Sequence, residues 1–361
     1  MGDDLLLQSQ EIKRFEIAYV KLNDSIPEKY TFKKRINFEN LNFLLNNPWN
    51  YSVLVWTSYL IKKLTKNKIE NVKYLDSGYF GNTFLIQNPK FVAKINKRQD
   101  ETPHEAAIGF TLNKLKRKIP NFVFLYSTFK CNIPEENAEI LCDLKKKNGM
   151  FIAFEFIPGV RLEISIKTLT NNEFFEIYLQ ILNALNIAWE ECDFTHYDLH
   201  LENILIRDLD EPIIVPIYTM EGILYLKTRK IPYIIDYGFS HVIVDGISLD
   251  KYQTENDGVI PQESFPMYDV FFLFDKTLAR LITERRTKKI QFEFLTEIKE
   301  QIFEKISKGF PYRTRNLSHI GNLTLDHTIE FLIENYHQYL EFSNESQIKN
   351  NIGWSEFIKL I

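Results

Sequence analysis

The chain has 361 residues, 45% of them hydrophobic and 14% aromatic, with 44 Lys and Arg against 48 Asp and Glu for a net charge of -4. That balance excludes an intrinsically disordered chain and gives no overall attraction to nucleic acid or to an anionic membrane. A length beyond the roughly 250 to 300 residues at which one core stops growing leaves room for one large domain or two modest ones.

The start MGDDLLLQSQ has neither the basic opening nor the apolar stretch of a signal peptide, and no apolar run approaches the roughly 20 residues of a membrane span. Gly2 begins a myristoylation-like start, but Leu6 stands where Ser or Thr is required. An intracellular, by default cytoplasmic, protein without membrane contact is expected. Cys131, Cys142 and Cys192 form an odd set with no C-x-x-C pair, which fits reduced thiols rather than a disulfide frame.

Residues 1–70 read as a mostly helical extension, with an apolar segment from Trp49 to Leu64 behind Pro48. From Val72 to Ile95, two short apolar runs flank Gln87-Asn88-Pro89-Lys90, the pattern of a β-hairpin following a glycine-bearing turn. The segment 104–118 spaces Ala106, Ala107, Phe110 and Leu115 as a helix, and Met150–Ile157 reads as a buried strand ending at Pro158-Gly159.

Thr170-Asn-Asn-Glu173 is a capping-box signature, followed by Phe174, Phe175, Tyr178, Ile181, Leu182, Leu185 and Trp189 along one helical face. The polar stretch THYDLHLEN follows at 195–203, then apolar runs at 204–206, 223–226 and 233–236, with helices expected at 267–283, 289–307 and 325–341. A small β-rich front half and a larger helical back half imply two lobes.

Taken in order, LDSGYFGNTF (75–84), FVAK (91–94), Glu105, HYDLHLEN (196–203) and Asp236-Tyr237-Gly238 resemble the motifs of the eukaryotic-type protein kinases. The form is divergent and similar to Ser/Thr kinases encoded by large DNA viruses and to haspin-like kinases. The resemblance covers roughly 75–280 and implies an α+β, two-lobed protein-kinase-like fold: an extension over 1–70, an N-lobe over 71–160 and a C-lobe over 161–361. It also implies ATP, Mg2+ with Mn2+ as a substitute, and a protein substrate, with no nucleic acid as partner.

The chemistry of phosphoryl transfer gives each piece a task, since the protein mainly positions the phosphates and neutralises their charge. Gly78, Tyr79, Phe80 and Gly81 would bring backbone N–H groups to the phosphates, although the same spacing suits a plain hairpin turn. Lys94 either pairs with phosphates and Glu105 or points outward from a half-exposed strand, and Glu105 near a helix start is favoured by the helix dipole in any case. In the kinase resemblance Asp198 orients the attacking hydroxyl and Asn203 and Asp236 hold magnesium. His200 stands where many kinases carry Lys and would touch the transferred phosphate, while the run around Glu155 and Ile157 resembles the hinge that holds adenine.

A zinc site on His196 and His200, at i and i+4, lacks both the base Glu and a third ligand. Tyr197 replaces the arginine that often answers to a phosphorylated activation segment, so no such switch is expected and His196 is expected to be buried. Asp76 replaces the first loop glycine. The stretch DEPIIVPIYTMEGILYLKTRKIP reads as an inserted hairpin, Pro261-Gln-Glu263 stands in for A-P-E, and Asp269 resembles the Asp opening the buried back-lobe helix. Two other functions stay open: a small-molecule phosphotransferase of the aminoglycoside or choline kinase type, and a pseudokinase scaffold.

Overall fold

The computed structural model describes residues 72–77, 81–87, 90–96, 101–130, 150–244, 246–249, 264–283, 289–305 and 324–343. The expected helix from Trp49 to Leu64, the turn residues Gly78, Tyr79 and Phe80, Cys131, Cys142 and the Pro261–Glu263 stretch lie outside them. The chain divides into two units. One holds the described residues up to Lys114 together with those from Phe124 to Phe156; the other holds Leu115–Val123 and the described residues from Ile157 onward.

Among the described residues the first unit has an antiparallel sheet of five strands and one α-helix. β1 (Val72–Ser77), β2 (Gly81–Gln87), β3 (Lys90–Asn96), β4 (Leu125–Lys130) and β5 (Met150–Phe154) pair in the order β1-β2-β3-β5-β4. β2 and β3 pair down to Gln87 opposite Lys90, as the spacing predicts. β1 and β4 were not anticipated because they are the two edges of the sheet. β1 reads VKYLDS, in which Lys73 and Asp76 interrupt the apolar residues, and its Tyr74 and Leu75 are exposed.

Helix α1 (Glu101–Asn113) starts three residues before the expected His104 and continues as a 3-10 turn over Lys114–Arg117. Pro103 does not stop it, because amide groups in the first turn have no partner within the helix. A Cβ on Gly109 would sit 2.5 Å from Leu125 Cδ1, so only glycine lets α1 lie this close to β4. The Asn113 side chain then joins helix to strand, donating to Leu125 O at 2.8 Å and accepting from Leu125 N at 2.9 Å.

In the second unit, β6 (Val160–Arg161) and α2 (Leu162–Ser165) lead to α3 (Asn171–Cys192). The capping box is formed: Glu173 N donates to Thr170 Oγ1 at 3.2 Å and Thr170 N to Glu173 Oε2 at 2.8 Å. A helix with one apolar face was expected, yet α3 is buried on nearly every side and Trp189 is only half-buried. The inserted segment explains this. It forms β7 (Ile204–Thr219) and β8 (Gly222–Ile234), a long hairpin that pairs with β6 and lies on α3.

The polar stripe of α3 faces this hairpin and bonds its backbone. Gln180 Nε2 donates to Lys230 O at 2.9 Å, Asn183 Nδ2 donates to Pro216 O at 3.1 Å, and Asn183 Oδ1 accepts from Tyr218 N at 2.8 Å. On the other sides lie α4 (Pro266–Thr283), α5 (Lys289–Lys305) and α6 (Leu325–Tyr336), close to their expected spans. Phe175 stacks on Tyr336 at 4.6 Å and meets Phe294 edge-on at 5.3 Å, and Phe274 reaches Phe294 at 5.5 Å, one aromatic cluster shared by four helices. A small hairpin, β9 (Val242–Val244) with β10 (Ile247–Leu249), completes the described elements. Mixed helices and antiparallel sheets give the expected α+β class. Among the described residues no helix is long and apolar enough to cross a membrane.

Candidate active site

The loop after α3 is fixed by its backbone. Asp193 ends the helix in a left-handed conformation (φ 49°), and Thr195 pairs with His241 in both directions, at 3.0 and 2.8 Å. Asp269, fully buried in the first turn of α4, accepts the amides of His196 at 2.6 Å and Tyr197 at 2.9 Å. Burial pushes the Asp269 carboxyl up to about 7 against these two hydrogen bonds, with the nearby charge of Asp198 adding to the rise.

His196 is buried beneath the loop, and its two ring nitrogens have opposite roles. Nε2 lies 2.9 Å from Ile235 O and so carries the proton, while Nδ1 accepts from Asp198 N at 3.3 Å. The ring is therefore neutral, and burial lowers its pKa further. With both nitrogens engaged by backbone, His196 has no lone pair left for zinc. Among the described residues no group of three or more His, Cys, Asp or Glu could hold a metal ion.

Asn203 stands within hydrogen-bonding reach of both Asp198 and His200. Asn203 Nδ2 donates to Asp198 O at 2.9 Å, lies 3.4 Å from Asp198 Oδ2 and 3.2 Å from His200 Nε2. His200 Nδ1 accepts from Glu202 N at 3.3 Å, and its Nε2 is 3.7 Å from Asp198 Oδ2. Burial alone would lower the His200 pKa, but the nearby carboxylate of Asp198, joined by Glu202 and Asp236, outweighs it and holds the imidazole above its ordinary value.

Ile235 N donates to Asn203 O at 3.0 Å, which brings Asp236 beside the end of the loop. Tyr197 and Asp236 have φ of 61° and 66°, so two of the three non-glycine residues with positive φ among the described residues fall within this constellation. Strained backbone of this kind persists only where surrounding contacts hold it and gathers at functional sites. Because the Asn203 amide nitrogen is turned to Asp198, its Oδ1 forms no hydrogen bond among the described residues. An amide oxygen and a carboxylate are both hard donors of the kind magnesium takes, since it uses few protein ligands and completes its octahedron with water and phosphate oxygens.

In the first unit Lys94 and Glu105 are both buried, and Lys94 Nζ lies 2.7 Å from Glu105 Oε1. The outward-pointing alternative for Lys94 is excluded. Glu155 is buried as well; its amide donates to Phe124 O at 2.8 Å and its Oε1 accepts Phe124 N at 2.6 Å. The chain passes from the first unit to the second between Phe156 and Ile157, whose carbonyl accepts Gly159 N at 2.9 Å. Gly81 opens β2, while Gly78, Tyr79 and Phe80 lie outside the described residues. Sequence reasoning passed over Asn96, which donates to Glu105 Oε2 at 3.1 Å. The only available signal was its position two residues beyond Lys94 on the same strand face.

The chain's likenesses to known proteins bear on what these residues do. It matches no family profile. "Probable kinase 098L" of Invertebrate iridescent virus 3 is 32% identical over 187 residues, covering 50% of this chain and 32% of the viral protein. "Serine/threonine-protein kinase haspin homolog" of Drosophila melanogaster is 26% identical over 152 residues, covering 42% of this chain and 26% of that protein. Protein 179R of Invertebrate iridescent virus 6 is 33% identical over 150 residues, 38% of this chain and 12% of that one. The chain is thus similar to one probable viral kinase, to a second iridescent-virus protein and to a haspin homologue, and it spans about a third or less of the length of these relatives.

Proposed function

We propose that the chain is an ATP-dependent protein kinase that transfers the γ-phosphate to Ser or Thr hydroxyls of a protein substrate. Two relatives whose printed names include kinase support this reading at a coarse level. The observation that carries it further is Asn203, whose amide nitrogen donates to Asp198 O at 2.9 Å and whose backbone carbonyl accepts the amide of Ile235, the neighbour of Asp236, at 3.0 Å.

Asp198 orients the substrate hydroxyl and takes its proton as the phosphoryl group transfers. Asn203 and Asp236 hold Mg2+, or Mn2+ in its place; when bound, the ion neutralises charge on the phosphates. His200 adds a donor to the transferred phosphate through Nε2, the ring nitrogen that carries the proton while Nδ1 accepts from Glu202 N at 3.3 Å. In the unit with the five-stranded sheet, Lys94 pairs with phosphates, Glu105 holds Lys94, and Gly78, Tyr79, Phe80 and Gly81 cradle the phosphates by their backbone. Glu155 and Ile157 hold adenine through main-chain groups. That unit acts as the N-lobe of a kinase-like fold and the helical unit as the C-lobe.

The test is transfer of radiolabelled phosphate from ATP with magnesium to casein, histone and small alcohols, comparing wild type with Asp198→Ala. Label on protein that disappears with Asp198→Ala is the expected result. Label on the alcohols alone would make it a small-molecule phosphotransferase. No label and no ATP binding would leave a scaffold.

A further inference from the structure

Strand β3 presents two polar side chains on one face, Lys94 and Asn96, and both reach the same carboxylate on α1. Glu105 Oε1 lies 2.7 Å from Lys94 Nζ, and Oε2 accepts from Asn96 Nδ2 at 3.1 Å. All three residues are buried, with Glu105 at 1% exposure and Asn96 at 2%. Asn96 also stands opposite Gly81 in the β2–β3 ladder. A Cβ on Gly81 would meet Ile95 O at 2.5 Å and Asn96 Oδ1 at 3.2 Å. Glycine at the first residue of β2 is what leaves room for this amide.

The terminal torsion of a glutamate is broad, so a carboxylate gripped through one oxygen can swing and carry its lysine with it. A second grip on the other oxygen removes that freedom, and in a buried site each remaining polar contact is strengthened by the low local dielectric. We infer that Asn96 is a positioning residue: it fixes Glu105 so that the Lys94 ammonium is held in one place, and it ties that ion pair to the glycine end of β2. The inference rests on the kinase reading for the purpose of Lys94, but the coupling Asn96–Glu105–Lys94 can be tested without it.

Three variants of the full 361-residue chain make the test: Asn96→Leu, Asn96→Asp, and Asn96→Asp combined with Glu105→Gln. The last exchanges amide and carboxylate and restores one donor to one acceptor with the same net charge. Two readouts are used: kcat/KM for ATP, and the rate at which Lys94 is acetylated by acetic anhydride, followed by mass spectrometry. Asn96→Leu is expected to lower kcat/KM about tenfold, since small displacements of a phosphate-binding group are costly to rate, and to speed Lys94 acetylation several-fold with little change in melting temperature. Asn96→Asp should be worse in both, and the double exchange should recover most of the difference.

Wild-type values for Asn96→Leu, an equal loss from Asn96→Leu in a Glu105→Ala background, or a double variant no better than Asn96→Asp would each overturn the inference. A wild type that turns over no ATP ends the kinase reading instead, and the acetylation rates then decide the coupling alone.

Discussion

Asp269 holds the amide of His196 at 2.6 Å from the far side of some seventy residues of chain, and its other oxygen holds the amide of Tyr197 at 2.9 Å. Two N–H donors on two oxygens need a carboxyl with both oxygens accepting. The substitution Asp269→Asn would turn an NH2 toward one of them, leaving a buried donor unmet at a cost of about 1 to 3 kcal/mol.

The pH dependence has a definite sign. The folded carboxyl sits near 7, well above its ordinary 3.8, because burial disfavours the charge. The folded state therefore binds the proton more tightly, and this group's contribution to stability is greatest below about pH 4 and falls as pH rises toward 7. Urea unfolding of wild type and Asp269→Asn at pH 5 and pH 8 should show the variant destabilised at both, and more at pH 5. An equal loss at the two values would contradict the assignment.

Tyr197 sits in the left-handed region at φ 61°, a conformation that costs a residue with a Cβ about 1 to 2 kcal/mol. Its contacts hold it there. The ring lies 5.5 Å from Tyr268, and the phenol, raised in pKa chiefly by burial, is hydrogen-bonded to Thr195 and to the backbone of Phe265. Thr195 Oγ1 in turn accepts Phe265 N at 2.8 Å and meets Ser264 Oγ at 2.9 Å. These bonds join the loop to the start of α4 without any phosphate group. If the kinase reading holds, phosphatase treatment should leave the initial rate unchanged within about twofold, whereas Tyr197→Phe, which keeps the ring but loses the phenol's bonds of about 1 kcal/mol each, should lower it several-fold. A rate abolished by phosphatase would show that a modification holds the loop after all.

Local chemistry was the legible part of this chain. Thr170 and Glu173 are three residues apart and announce their own capping box, and Asp198, His200 and Asn203 meet within six residues of loop. Order along the chain, matched to a family, was needed to connect Lys94 with Glu105, because an ion pair between strand and helix leaves no periodic trace. Edge strands β1 (VKYLDS) and β4 (LYSTFK) mix polar residues into their span, and the apolar run 122–126 overlaps β4 only at Leu125 and Tyr126, so both escaped notice. The stripe Gln180 and Asn183 lies off the apolar face that the spacing predicts, and nothing in α3 itself tells that a hairpin twenty residues later will cover it. Asn96 was missed for the same reason, since its partner belongs to another element.

Glu176 shows what that covering does to a charge. It lies on α3 under β8, where its Oε2 accepts from Thr228 Oγ1 at 2.8 Å, and its pKa is pushed up to about 7. Burial is the largest cause, Glu173 and Glu341 add to it, and Thr228 and Lys230 oppose it. As with Asp269, the folded state holds the proton more tightly than the unfolded chain, so Glu176 costs stability as pH climbs from about 4 to 7. Glu176→Gln keeps an acceptor for Thr228 and removes the charge. Its melting temperature should exceed that of wild type at pH 8 and match it at pH 5. A lower melting temperature at pH 8 would mean that Lys230 outweighs burial.

Asn183 covers the outer edge of β7. Its amide accepts Tyr218 N at 2.8 Å and donates to Pro216 O at 3.1 Å, so one side chain takes the place that a neighbouring strand would have on alternate backbone groups. Asn183 is fully buried on α3, which leaves water no easy access to those groups once the amide is gone. Asn183→Ala should therefore cost about 2 to 4 kcal/mol, one buried donor and one buried acceptor unmet, and Asn183→Asp should lose the contact to Pro216 O while keeping that to Tyr218 N. Hydrogen exchange followed by mass spectrometry locates the effect: the peptide containing Tyr218 should exchange faster in Asn183→Ala, with less change in Asn183→Asp. Unchanged exchange in both variants would show that other contacts of the hairpin hold it on α3 without the amide.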